Sequence, residues 1–143
     1  MLVWSKNFET GIPELDAQHR ELIAYVNRLE WMALNQTLNR LDVVYLNHFL
    51  EFLEEFARRH FHREEECMVK YQCPAYEECR RSHQDLIAYQ DQFRLRLKTK
   101  VIQPQDVREL SNFCNLWIQN HFQKIDLQLK ASLSAPERPA GEA

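Results

Sequence analysis

The chain has 143 residues, 45% of them hydrophobic, with 18 basic and 21 acidic side chains and a formal net charge of −3. At that length one compact domain buries roughly 68–70% of the unfolded chain's surface, and the mixed charges offer no basic field for nucleic acid. The apolar runs are far too short to span a membrane, and Met1-Leu2-Val3-Trp4-Ser5 lacks a charged n-region followed by an apolar h-region. The expectation is a cytoplasmic, soluble chain.

Its four cysteines, Cys67, Cys73, Cys79 and Cys114, form no CxxC pair, so neither a zinc ribbon nor a thioredoxin-type motif is supported. In a reducing compartment they read as thiols, mostly small buried hydrophobes.

Residues 1–12 carry Trp4, Phe8 and Ile12 without regular period and read as an N-terminal arm packed by its aromatics. Only two glycines occur, and Pro13, Pro74 and Pro104 each precede a long periodic segment, as proline does in a first helical turn. From Pro13, Leu15, His19, Leu22, Val26 and Leu29 make one stripe, with Glu14 and Asp16 suited to the helix dipole. Ala33–Arg40 reads as a connection.

A second helix is expected from Leu41 to Tyr71, with the inward stripe Leu46, Phe49/Leu50, Leu53, Phe56, His60 and Glu64. His60 and Glu64 are one turn apart and share a face. His62 points about 200° away from His60. His48, Arg58, Arg59, Glu65 and Glu66 read as solvated.

Cys73-Pro74 breaks that helix, and a third carries Tyr76, Cys79, His83, Leu86, Gln90, Phe93 and Leu97 on one face. After Lys98–Gln103, a fourth from Pro104 to about Ala131 faces inward with Val107, Leu110, Cys114, Trp117 and His121. The fold expected is all-α: an antiparallel up-down-up-down four-helix bundle with an N-terminal arm, spanning residues 1–131. Residues 132–143 are small, polar and proline-bearing, and read as a disordered tail.

In such a bundle the start of helix one, the end of helix two, the start of helix three and the end of helix four lie together. His19, His60, Glu64, Cys79, His83, His121 and Asp126 then all fall roughly 7–17 Å from one end. Burying an unpaired carboxylate costs several kcal/mol, against a whole-domain margin of about 5–15 kcal/mol. A layer holding two carboxylates and four imidazoles therefore needs a cation or water.

The set is too large for one tetrahedral zinc and too nitrogen-rich for calcium or magnesium. It suits two metals bridged by carboxylates. The Glu-x-x-His signature of the usual di-iron carboxylate bundles is absent.

Several segments together resemble the hemerythrins, in particular the single-domain bacterial ones: Trp4 with Phe8, Thr10, Gly11 and Ile12; Leu15-Asp16-Ala17-Gln18-His19; His60-Phe61 with Glu64, Glu65 and Met68; Pro74 with His83; Trp117-Ile118 with His121 and Asp126. The resemblance extends to about residue 130. It implies a non-haem di-iron site that binds dioxygen reversibly, as carrier, store or sensor, with no committed catalytic turnover.

By the family pattern, Glu64, Asp126 and an oxo or hydroxo group bridge two iron ions. His19 and His60 hold the iron with the open position, while His83, His121 and a third histidine fill the other. Phe61, Ile118 and Ile23 would line an apolar oxygen pocket. The chain departs from the pattern where Cys79 stands at that third histidine. Cys79 as a thiolate ligand is the favoured outcome; a neutral thiol and a weakened site are the alternatives. The altered ligand also leaves open a redox protein or enzyme that turns over oxygen, peroxide or nitric oxide. The expected state is a monomer or weak homo-oligomer.

Overall fold

Four helical rods build the structure, a computed structural model that describes residues 1–134. The first rod is α1 (Pro13–Met32). The second is α2 (Arg40–Phe56), a π-type turn at Ala57–Phe61, and α3 (His62–Lys70). The third is α4 (Tyr76–Leu97). The fourth is α5 (Pro104–Asn120), a second π turn at His121–Asp126, and α6 (Leu127–Leu133). No strand occurs among the described residues, so the chain is an all-α helical bundle.

Local chemistry places the rod ends. Pro13 and Pro104 occupy first-turn positions, where a missing N–H costs nothing. Asn39 caps α2 by accepting from Asp42 N at 2.8 Å, while Asp42 accepts from Asn39 N at 2.9 Å. Between α3 and α4 the backbone turns through Gln72 at φ 53°.

α1 packs on α5 and α2, and α4 packs on α2 and α3. The stripe residues Leu22, Val26, Leu29, Leu46, Leu53, Leu86, Phe93, Val107 and Leu110 merge into one apolar core. A smaller cluster of Leu15, Cys67, Met68, Cys73, Ala75, Cys79, Ile125 and Leu129 sits around the other side of the buried polar layer. All four cysteines are free and buried.

The N-terminal segment is held to α1 by Asn27, which accepts from Leu2 N at 2.9 Å and donates to Leu2 O at 2.8 Å. Buried Asp16 accepts from both Thr10 N and Thr10 Oγ1 at 2.8 Å. Gly11 between them has φ 87°, and a side chain there would also crowd Leu133. α6 continues to Leu133, so Ser132 and Leu133 are helical rather than part of the expected tail. From residue 135 that tail lies outside the described residues.

Asp106 at the start of α5 is buried and accepts from Lys100 Nζ and from Gln103 N, each at 2.8 Å. Burial alone would raise its pKa, but these donors outweigh it and hold the carboxyl below its usual value. Its contribution to stability is therefore complete above the unfolded value of about 3.9 and is lost as pH falls through the lower folded value. In urea unfolding, the gap between the native chain and Asp106→Asn is expected to be constant near neutrality and to close below about pH 4.

Candidate metal centre

The structure gathers His19, His60, Glu64, Cys79, His83, His121 and Asp126 into one buried layer. Glu64 is its hub. Oε2 lies 2.9 Å from His19 Nε2 and 3.0 Å from His60 Nε2, while Oε1 lies 2.8 Å from His121 Nε2, 3.1 Å from His83 Nε2 and 3.2 Å from Cys79 Sγ. The two oxygens of one carboxylate thus face two separate donor groups. Asp126 straddles the same divide, with Oδ2 3.5 Å from His19 Nε2 and Oδ1 3.1 Å from His121 Nε2.

The π turns make this convergence possible. In an α-helix, residues five apart are about 140° out of phase, yet His121 and Asp126 meet the same layer because the turn between them is over-wide. The turn at Ala57–Phe61 likewise turns both His60 and Phe61 into the interior.

Three of the four outer nitrogens are held by a side chain from the preceding rod. His60 Nδ1–H donates to Gln18 Oε1 of α1. His83 Nδ1–H donates to Glu65 Oε2 of α3 at 2.9 Å. Ser82 Oγ of α4 lies 2.8 Å from His121 Nδ1. The partners Gln18, Glu65 and Ser82 each sit next in sequence to an inward donor, about 100° round the helix.

Glu65 therefore departs from the solvated face assigned to it: it is half-buried against His83. His48 and His62 are exposed, and His62 pairs with Glu66 at 2.6 Å. The series of partners breaks at His19, whose Nδ1 has none, because the residue following His121 is Phe122 and its ring stacks on His19 at 4.1 Å.

Aromatic rings wall the layer. Phe56 stacks on His60 with centroids 4.4 Å apart, Trp117 on His121 at 4.4 Å and Phe61 on His83 at 3.8 Å. Phe61 thus lies flat on the His83 side and meets His60 edge-on at 6.0 Å, between the two donor groups rather than against His19 and His60 alone. Ile118 packs in a tight apolar seam with Leu22, Val26, Leu53, Leu86, Cys114 and Trp117 that has no room for a water molecule, and Ile23 is buried in the same core. Phe56 and Phe122 were not among the expected wall residues. Phe56 lies in the inward stripe one turn before His60, whereas the only sequence signal of Phe122 is its place beside His121.

The donors fit a cation better than one another. A carboxylate only accepts, so Glu65 fixes the His83 proton on Nδ1 and leaves Nε2 bare, facing Glu64 Oε1. Both Asp126 oxygens are buried without a hydrogen bond, despite their closeness to His19 and His121. Such atoms are costly unless something positive lies among them.

The titration behaviour points the same way. Burial lowers His60 to about 4 despite Glu64. Burial also opposes charge on His121, but Asp126 and Glu64 overcome it and push that histidine up to about 10. Burial and the nearby Glu64 raise Asp126 to about 6. Glu64 is held well below its usual value by the imidazoles of His121, His19 and His60, burial notwithstanding, while burial and the carboxylates raise the Cys79 thiol. Metal-free, the layer carries protons in place of a cation; metal binding displaces them.

No curated protein matches the chain, and no described helix is long and apolar enough to cross a membrane. The model of the hemerythrin HHE cation-binding domain matches residues 10–133. The chain, with its converging buried imidazoles and carboxylates, belongs to the hemerythrin HHE cation-binding family.

Proposed function

We propose that this chain is a di-iron protein that binds dioxygen reversibly. The observation that carries the reading is Glu64, whose two oxygens address two donor groups, His19 with His60 and His83 with His121 and Cys79. Each group would hold one iron, with Glu64 and Asp126 bridging. When bound, an iron pair supplies two electrons that can pass to dioxygen and return.

The rods run up-down-up-down, with residues 1–12 as an arm. What supports this order is that donors near the starts of α1 and α4 meet donors near the ends of the other two rods.

The His19–His60 half has the smaller donor set, which suits it to keep an open position. Phe122 and Phe56 cover its imidazoles and exclude water from them. Water exclusion favours release of the ligand as dioxygen over irreversible oxidation.

Cys79 is completely buried beside His83, 3.5 Å from its Nε2. We assign it as a thiolate ligand once iron replaces its proton. A thiolate enriches that iron in electrons, and this feature favours a second reading, a redox protein that consumes oxygen, peroxide or nitric oxide.

Anaerobic reduction of the iron-loaded protein followed by cycles of air and argon separates the two. The carrier reading expects an absorption spectrum that appears and vanishes over repeated cycles, and a sulfur-to-ferric band that Cys79→Ser removes. Irreversible oxidation in the first cycle contradicts it, and steady consumption of an oxidant with added reductant establishes the second reading.

A further inference from the structure

The imidazoles of the metal layer differ in what holds their outer nitrogens: a carboxylate for His83, an amide oxygen for His60, a hydroxyl for His121 and nothing for His19. We propose that Glu65 is a positioning residue that, through the hydrogen bond from His83 Nδ1–H, fixes that ligand's orientation and makes the His83 half of the centre the electron-rich one. This rests on the di-iron reading above.

The contact is specific. His83 is 1% exposed and its ring is clamped flat against Phe61, so its plane is fixed and Nδ1 has one direction in which to donate. Glu65 Oε2 occupies that direction at 2.9 Å. Glu65 itself is 24% exposed, on the wall of a surface hollow of about 450 Å³ lined by His62, Arg63, Glu66, Val69, Lys70 and Tyr76. Its carboxylate therefore keeps access to solvent, which Glu64 and Asp126 inside do not.

An anionic acceptor on an imidazole N–H raises the basicity of the opposite nitrogen, and such outer partners change metal affinity by about 10–100-fold when removed. Cys79 belongs to the same half, within 3.5 Å of His83 Nε2. The two negative groups, Glu65 outside and Cys79 inside, act on one iron. Across the layer, His60 has a neutral partner and His19 only the face of Phe122. An iron pair held here would thereby be unequal, with the ferric state favoured first on the His83 side.

The test compares iron-loaded native protein with Glu65→Gln and Glu65→Ala. Glutamine keeps an accepting oxygen but removes the charge. Glu65→Gln is expected to retain both irons, to shift the reduction midpoint to a higher potential, and to move one hyperfine-shifted, solvent-exchangeable N–H proton resonance of the diferrous protein while the others stay. Glu65→Ala is expected to lose that resonance by exchange and to weaken iron binding by about 10–100-fold. A glutamine variant with the native midpoint and N–H spectrum overturns the proposal, as does one that loses its iron. Failure of the oxygen cycling in the native chain rejects the carrier reading instead, since iron content, midpoint and N–H resonances are read without oxygen.

Discussion

Glu64→Ala is expected to weaken metal binding in both halves of the centre together, by more than the roughly 10–100-fold that loss of an outer partner costs. Among the described residues, no other side chain places its oxygens within 3.1 Å of all four imidazole nitrogens. Removing it takes a ligand from each group in a single substitution, and leaves Asp126, whose oxygens already lack hydrogen bonds, as the sole carboxylate of the layer. Metal analysis of the reconstituted variant checks this. Loss of one metal with the other bound as tightly as before would show that Glu64 serves one half only.

The second large effect belongs to Phe122. It is 1% exposed, stacks on His19 at 4.1 Å and is backed by the edge of Phe8 at 5.9 Å, so the N-terminal segment, Phe122 and the imidazole form one stack. Phe122→Ala is expected to cost about 3–5 kcal/mol, the range for truncating a buried phenylalanine, a large share of a margin of about 5–15 kcal/mol. It also opens space beside His19 Nδ1, the buried nitrogen with no partner, where water would find a donor or acceptor. Air oxidation of the reduced iron-loaded protein should therefore become faster and irreversible. Phe122→Leu keeps most of the buried surface and separates the two effects: urea midpoints report the packing, and bleaching rates report the dryness. Unchanged bleaching in a folded Phe122→Ala protein would show that this ring does not guard the site.

The apolar stripes that form the rods were legible because burial imposes the helical period directly on residue choice. Leu22, Val26 and Leu29 on α1, or Val107 and Leu110 on α5, announce their inward face without reference to any other segment. The polar interruptions His19, His60, Glu64 and His83 were legible for the same reason.

Asp126 was harder, since its spacing from the inward His121 contradicts an α-helix. Nothing in the intervening Phe122-Gln123-Lys124-Ile125 encodes the wide turn that reconciles them. Glu65 was misread because it flanks its stripe and belongs by periodicity to the solvated face. Its partner, His83, lies on another rod, and the contact exists only once α3 packs on α4. Gln18, Ser82 and Phe122 share this character: each serves an imidazole of a neighbouring rod, so its role depends on rod order and rotation.

The central claim is that these donors hold a pair of metals rather than one. Anaerobic titration of the metal-free chain with ferrous iron, followed by native mass spectrometry, tests it most directly. Because Glu64 and Asp126 each reach both groups, the first metal fixes the two carboxylates in place for the second, and the doubly loaded chain should dominate at saturation. A titration that ends at one iron per chain, or at none, would contradict the account.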